Sequence, residues 1–431
     1  MLKNIKNNLA INFFSNLLFA VTILIMIFTR SFFGLRFFGF RLGELVVAFG
    51  LFLIILYFLY FTFLDKDYFN FFPYVNFLLL IALFIFTVLF TRGSFFSQYT
   101  YKSSSYLWMI GYVFLGYFFF NVLNFSKLHF YALAVTPLII YIFNSGNYPD
   151  FIMYFFERNG DKFQFIKGSD VLMAFIFCLF ILKDKFINHQ NYLYYVNLVG
   201  FLMLPLFLTL SRASFFSSCL LLFSINLSFR SLIRADMKKY LLVFLVALVV
   251  FILSAIRLAA LPEIERNTAE PIIVIQDSVA EVVERKNTNQ FLGFYFCEER
   301  LCSKDNTLDW RLDIWSDLTK DQIKKGKMIF GFGFNEIFEV MKDPNSPGRL
   351  GRDGLNENVH NHLFTLLGRM GIFGAIIYFL FQYKLIINLK ENIFIYLIPL
   401  FLVSAFDTTM ESIQFPFLYY FLISYHKTKK L

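Results

Sequence analysis

Two histidines stand beside the start of an apolar helix, in the stretch NVHNHLFTLLGRMGIFG at residues 358–374. A neutral imidazole is the natural general base near neutral pH, because its ordinary pKa is about 6.5. His360 comes first and precedes Asn361, whereas His362 lies deeper and suits packing or a structural hydrogen bond. On a helix, residues two apart point about 200° away from each other, so the two imidazoles cannot do the same job. The pattern favours His360 as the base, with a purely structural role as the alternative for either histidine.

The same segment contains an arginine between glycines. Gly368, Gly371 and Gly374 recur at every third position and predict close packing of the helix. They do not account for Arg369. A charged side chain inside an apolar segment is expensive and tends to face a cavity, so Arg369 is a candidate supporting residue.

Two further arginines could bind an anion. Arg212 lies in the short SRAS turn between two apolar segments, and Arg311 shares one helix face with Trp315, four residues later. A guanidinium is permanently charged and fits phosphate bidentately. The alternative for each arginine is a side chain that snorkels to lipid headgroups. The same two alternatives apply to the other arginines on predicted external loops, which are Arg30, Arg36, Arg41, Arg92 and Arg158.

The remaining candidates are two carboxylates and two cysteines. Asp407 and Glu411 lie four residues apart in DTTMES, where they could orient a base, bind an acceptor or form a solvated turn. Cys297 and Cys302, in CEERLC, fall in a predicted external segment. An oxidising compartment favours a disulfide there, with two free thiols as the alternative, and a metal pair lacks nearby partners.

The composition is that of a membrane protein. Of the 431 residues, 58% are hydrophobic and 16% are charged. Runs long enough to cross a bilayer, for which about 20 apolar residues suffice, recur along the chain. We therefore predict an all-α polytopic integral membrane protein with about twelve transmembrane helices. The predicted segments are residues 9–29, 43–64, 71–91, 106–123, 129–144, 170–183, 192–210, 213–229, 240–260, 362–382, 393–406 and 413–425.

The basic residues predict an orientation for these spans. An even number of spans puts both termini on one side, together with most lysine-bearing loops, and the positive-inside rule makes that side cytoplasmic. The chain then divides into spans one to nine at 1–261, an external loop at 262–358, and spans ten to twelve with a cytoplasmic tail at 359–431. Segments 272–286 and 310–326 have helical periodicity, so this large external loop is predicted to be helical.

Taken in order, these motifs resemble those of the O-antigen ligase and polymerase superfamily. SRAS, R-x3-W, GFGF, HNHLFTLLGRMGIFG and DTTMES follow the family's order over roughly residues 200–425. The pair His360–Asn361, with a leucine two residues later and G-x2-G at the end, is the most specific element. The large external loop before it is the second. The family often has an acidic residue where Arg369 stands.

The resemblance implies a membrane glycosyltransferase of GT-C type, at the periplasmic face of the bacterial inner membrane. Such proteins take a glycan from undecaprenyl pyrophosphate; ligases transfer it to lipid A–core, and polymerases to another lipid-linked glycan. By matched position, His360 would be the base and Arg212 and Arg311 would hold the pyrophosphate. The resemblance implies an inverting reaction without metal or cofactor. The residues expected to support this site are Asn361, His362, Arg369, Asp407 and Glu411.

We expect a ligase, with a polymerase of the same chemistry as the first alternative. A flippase for lipid-linked sugars is a further alternative, although transporters usually show paired repeats and broken helices near the midplane. The sequence shows neither, and the long external loop favours an enzyme. The net charge of +9 reflects membrane orientation, and no nucleic-acid partner is expected.

Overall fold

A computed structural model describes residues 9–63, 71–160, 166–259, 293–297, 300–343, 346, 349–350, 357–387 and 393–428. Most of these residues are helical. The helices are α1 (Leu9–Gly34), α2 (Leu42–Phe63), α3 (Tyr74–Phe90), α4 (Gln98–Ser103), α5 (Ser105–Trp108), α6 (Tyr112–Val122), α7 (Lys127–Asn144), α8 (Asp150–Asn159), α9 (Gly168–Lys185), α10 (His189–Leu210), α11 (Arg212–Ser228), α12 (Arg230–Ala235), α13 (Met237–Ala259), α14 (Asn306–Lys324), α15 (His362–Ile387), α16 (Phe394–Ser404) and α17 (Gln414–Thr428). Single 3₁₀ turns occupy Met109–Gly111 and Glu339–Lys342, and two antiparallel hairpins pair β1 (Arg36–Phe37) with β2 (Phe40–Arg41) and β3 (Phe294–Cys297) with β4 (Arg300–Ser303).

Each of the twelve predicted segments coincides with a helix or, at 106–123, with the helical run from α5 to α6. Within the described residues, seven helical segments are long and apolar enough to cross a membrane, and α3, α11 and α16 are shorter apolar helices. The protein is therefore an all-helical, polytopic membrane protein. The count of twelve spans and the GT-C-type arrangement stay predictions.

Helix α9 forms the centre of the bundle. Its residues 168–182 are all buried, and it packs against α1, α7, α10, α11, α16 and α17. A helix that is apolar on every side belongs in the interior. By contrast, α13 packs mainly on α10 and leaves most of its apolar side chains exposed, as a lipid-facing helix does. The central position of α9 brings its N-terminus to the middle of one end of the bundle.

The described part of the loop at 262–358 packs around α14. Ile314, Trp315 and Leu318 form a small apolar core with Phe338 and Met341. Hairpin β3–β4 precedes this helix. The structure pairs Cys297 with Cys302 as a disulfide within the hairpin, with Cα atoms 5.9 Å apart. The helix predicted at 310–326 matches α14, whereas the helix predicted at 272–286 lies outside the described residues.

Helix α15 is kinked at Gly371, whose φ is +68°. The GFGF segment docks at this kink, where the Phe332 amide donates to the Gly368 carbonyl at 2.7 Å. A Cβ on Gly371 would lie 2.2 Å from the Ile329 carbonyl oxygen. The predicted close approach therefore occurs, but at Gly368 and Gly371 the partner is the segment after α14 and not another helix.

Candidate active site

His360 lies in the short loop that leads into α15, and its backbone has a left-handed φ of 54°. This conformation costs a residue other than glycine about 1–3 kcal/mol and persists only where the surroundings impose it. On one side, the carbonyl of buried Val359 accepts a hydrogen bond from Trp315 Nε1 at 2.6 Å. On the other, Asn361 Nδ2 donates to the Ala405 carbonyl at 2.7 Å. These two anchors fix the position of the imidazole.

Asn361 also begins the helix. Its Oδ1 accepts from the backbone amides of Leu363 at 2.8 Å and Phe364 at 3.3 Å, which satisfies two of the free donors of the first turn. The structure therefore explains why His360 and Asn361 are adjacent. Asn361 caps α15, and the residue before the cap is held outside the helix, where His360 can face the site.

The surroundings keep the His360 imidazole uncharged. Its ring centre lies 5.1 Å from that of Trp310. Burial, followed by the positive charges of Lys167 and Arg311, lowers the pKa of His360 from 6.5 to about 3. The imidazole is therefore neutral at pH 7, which is the form that accepts a proton.

Five ionisable side chains, which we call the charged cluster, influence this histidine or one another electrostatically. They are Arg30, Lys167, Arg311, Asp170 and Asp407. Lys167 Nζ donates to Thr408 Oγ1 at 3.0 Å and lies 3.5 Å from Asp407 Oδ1, while Asp407 Oδ2 accepts from Ser169 Oγ at 2.7 Å. Burial raises the pKa of Asp407, but Lys167 and the Ser169 hydrogen bond outweigh it and leave the value at about 2. Burial lowers the pKa of Lys167, and the charge of Asp407 opposes that shift. Counted in their ordinary ionised forms, three cations face two carboxylates, so the charged cluster favours an anionic ligand.

Several buried polar atoms of this region have no hydrogen-bond partner within the described residues. They include Arg311 Nε, Arg30 Nε, Asp170 Oδ1 and, at the start of α11, Ser214 Oγ. Arg30 Nε does lie 3.4 Å from Asp170 Oδ2 as an ion pair. Each unsatisfied buried group costs about 1–3 kcal/mol, so their accumulation in one region needs an explanation such as a ligand or ordered water.

The two predicted arginines are placed differently. Arg311 Nη1 donates to the Phe406 carbonyl, next to Asp407, which puts Arg311 in the charged cluster. Arg212 begins α11, has a side chain 49% exposed, and pairs with Asp305, the N-cap of α14. Asp305 and Arg311 are six residues apart along α14, a rise of about 9 Å. Arg212 therefore lies outside the cluster, at the opening turn of the helix that carries Arg311.

His362 forms a second, separate pair. Its Nδ1 lies 2.7 Å from Glu411 Oε1, and both side chains are buried. Its ring packs against those of Tyr106 and Tyr378, with centres 5.7 and 5.2 Å apart. Burial raises the pKa of Glu411, but the charge and hydrogen bond of His362 more than offset this and lower it below its usual range. The structure thus divides the DTTMES carboxylates, with Asp407 on the side of His360 and Glu411 on that of His362.

Arg369 binds mainly to the segment after α14. Its Nη1 donates to the carbonyls of Gly333 at 3.1 Å and Glu336 at 2.6 Å, and its Nη2 donates to the Tyr99 hydroxyl at 2.8 Å. The guanidinium also lies over the Phe338 ring, 4.1 Å from its centre. Arg369 therefore ties GFGF to α15 and stands apart from the charged cluster.

Sequence reasoning missed Lys167, whose positive charge lowers the pKa of both Asp407 and His360. A signal was present. Lys167 lies three residues before the sixth predicted span, on the side where basic residues oppose the orientation bias. Of the other arginines on predicted external loops, only Arg30 contributes to the charged cluster in the described structure, while Arg36, Arg41, Arg92 and Arg158 are exposed.

Residues 198–379 match the family model described as O-antigen ligase. The matched range contains Arg212, Arg311 and His360 together with the loop between α13 and α15. No curated protein matches the chain. The resemblance to the O-antigen ligase and polymerase superfamily is therefore confirmed, on this part of the chain, and it supports a ligase- or polymerase-type activity.

Proposed function

We propose that this chain, through its O-antigen ligase domain, transfers a glycan from undecaprenyl pyrophosphate to lipid A–core. The observation that carries the proposal is His360. It is a neutral imidazole, held in a strained backbone conformation, beside a cluster with an excess of positive charge. A base and an anion site next to each other are what transfer from a pyrophosphate carrier requires.

His360 acts as the general base in this reaction. A sugar hydroxyl is a poor nucleophile until its proton is removed, and a positioned base contributes about 100- to 10,000-fold. As His360 takes the proton, the acceptor oxygen bonds to the anomeric carbon of the glycan. The bond from that carbon to the pyrophosphate oxygen breaks on the opposite face, and its electron pair leaves with the pyrophosphate. This displacement inverts the anomeric configuration.

The charged cluster stabilises the leaving group. Arg311 and Lys167 offer positive charge where negative charge develops, and they take the part that a divalent metal has in other sugar transferases. The N-terminus of α9, which begins at Gly168, adds a partial positive charge at the same place. Arg212 contributes from outside the cluster, provided that a phosphate oxygen replaces the Asp305 carboxylate as its partner.

The membrane arrangement follows from the same proposal. Twelve spans of GT-C type would hold the site at the periplasmic face of the inner membrane, where the lipid carrier and lipid A–core meet. Analysis of lipopolysaccharide from a deletion strain tests the reaction. We expect lipid A–core without long chains and with the carrier-linked glycan retained. Single repeat units on the core would indicate a polymerase, and unchanged long chains with loss of another polysaccharide would reject the ligase.

A further inference from the structure

A small cavity adjoins the loop that carries His360. It has a volume of about 60 Å³, and its walls include Tyr99, Lys102, Glu357, Asn358, Thr365 and Glu411. One water needs about 10–15 Å³ of such space, so the cavity holds a few waters or one polar substituent, and not a sugar ring.

The polar groups of its walls are held in place by partners behind them. Glu411 is fixed by His362 at 2.7 Å, and Glu357 by Lys102 at 2.7 Å. The Tyr99 hydroxyl accepts a hydrogen bond from Arg369 at 2.8 Å, so it keeps its own proton to donate. Groups that are already oriented bind a ligand without first losing conformational freedom.

One oxygen atom in the wall can accept a further hydrogen bond. Glu411 Oε2 is buried and has no partner at ordinary hydrogen-bond distance in the described part of the chain, and the Thr365 hydroxyl, which also lowers the pKa of Glu411, donates instead to the Asn361 carbonyl at 3.0 Å. The Glu411 side chain is only 8% exposed. A buried carboxylate oxygen without a partner is costly, and a hydroxyl supplies the missing donor. The two carboxylates in the wall, Glu357 and Glu411, are matched by two cations, Lys102 and Arg369. This cavity therefore has no excess of positive charge for a phosphate, in contrast to the charged cluster.

The cavity is close to the proposed base. Asn358 and Val359, which line it, directly precede His360 in the chain. Consecutive Cα atoms are about 3.8 Å apart, so a group bound there is within one sugar residue of the loop that holds the imidazole.

We propose that this cavity binds one hydroxyl or hydroxymethyl group of the acceptor sugar and thereby positions the neighbouring hydroxyl for His360. The ligand donates to Glu411 and accepts from Tyr99. The inference rests on the proposed function, which it deepens by assigning an acceptor subsite separate from the pyrophosphate site.

The test uses the full-length protein in liposomes, with carrier-linked glycan and lipid A–core purified from a strain that lacks it. Tyr99→Phe removes a single hydroxyl, and Glu411→Gln removes the carboxylate charge. We expect each to raise the KM for lipid A–core about tenfold, the effect of one lost hydrogen bond, with the donor KM unchanged. Tyr99→Phe keeps the test decisive if Glu411→Gln fails to fold.

Tyr101→Phe is the matched control. Tyr101 lies two residues further along α4, and its hydroxyl donates to the Glu44 carbonyl at 2.8 Å, away from the cavity walls. This variant should keep the wild-type KM for lipid A–core. Wild-type acceptor KM in both cavity variants would overturn the assignment and leave the proposed function standing. Absence of transfer by the wild-type protein would instead reject the proposed function, and the inference with it.

Discussion

At the scale of single residues, His360 and His362 are two positions apart and have unlike surroundings. Glycine adopts a positive φ without strain, so His360→Gly separates the chemical role from the structural one. We expect His360→Gly and His360→Ala to lower the rate of transfer by about 100-fold or more. The glycine variant should unfold at the same temperature as the wild-type protein or at a higher one. Transfer assays and thermal unfolding of the purified variants measure both effects.

His362→Ala should have the opposite effects on the protein, a loss of stability with transfer retained. It leaves Glu411 buried without its partner, and breaking a buried pair costs about 3–5 kcal/mol. We expect a lower Tm and measurable transfer by the folded fraction. A His360→Gly protein that turned over carrier-linked glycan near the wild-type rate would remove His360 as the base.

The pKa of His360 gives a pH dependence with a definite sign. Burial, then Lys167 and Arg311, lower it to about 3, and the neutral, active form is lost as pH falls through that value. Because kcat/KM reports the free enzyme, it should show no loss from His360 down to about pH 4. Bound pyrophosphate adds negative charge beside the same cations and raises the pKa, so kcat should decline at a higher pH than kcat/KM. Coincident acid limbs in the two profiles would contradict this.

Arg311 tests the need for a guanidinium. Its Nη1 donates to the Phe406 carbonyl, while its buried Nε has no hydrogen-bond partner within the described residues. Lysine keeps the charge but not the fork, so Arg311→Lys should raise the donor KM nearly as much as Arg311→Ala. Arg212→Lys should also impair donor binding. Full activity in both lysine variants would leave the two arginines as lipid anchors.

At the scale of elements, the kink in α15 is the place where this helix contacts the segment after α14, which is predicted to be external. Gly371 and Gly326 both have a positive φ, but only at Gly371 would a Cβ meet backbone, 2.2 Å from the Ile329 oxygen. We expect Gly371→Ala to cost about 2–4 kcal/mol, from strain and overlap together. Gly326→Ala, with open space around it, should cost only about 1–2 kcal/mol. Equal losses of unfolding free energy would show that the docking contact contributes nothing.

The helices could be predicted because each apolar run is a local property of the sequence. Residues 106–123 are predicted as one segment, yet the helical run there is broken by a 3₁₀ turn at Met109–Gly111. The amphipathic α8 was not predicted at all. Such details depend on distant partners. A Cβ added to Gly111 would lie only 2.1 Å from the Gly50 carbonyl oxygen in α2. No sequence pattern near residue 111 reveals that contact.

At the scale of the whole molecule, the candidate site was predictable only in part. His360 and Arg311 could be named because the motif around each is local. Arg30 could not be singled out among the candidate arginines and Lys167 was missed, since both join the charged cluster only when α1 and α9 pack together with the loop before α17. Asp407 and Glu411 have different partners, and these likewise depend on which helix ends are in contact with the loop between α16 and α17.

The charged cluster also bears on how the protein crosses the membrane. It gathers the end of α1, the start of α9 and the loop before α17, while His360 precedes α15. In an alternating arrangement of twelve spans, the first span ends, and the sixth and tenth begin, on the side opposite both termini. The contacts within the site therefore agree with an even count, and we expect both termini in the cytoplasm and 262–358 outside.

A cysteine-labelling experiment checks this orientation in intact cells. With Cys178 and Cys219 replaced by serine, Lys324→Cys places one thiol on the exposed face of α14, and Ile187→Cys places one in the exposed turn between α9 and α10. A small membrane-impermeant maleimide should label Lys324→Cys directly and Ile187→Cys only after the inner membrane is permeabilised. Because Ile187 and the charged cluster lie at opposite ends of the buried α9, the two sites report on opposite faces. Labelling of Ile187→Cys alone in intact cells would place the cluster in the cytoplasm, where lipid A–core in its periplasmic leaflet could not reach His360.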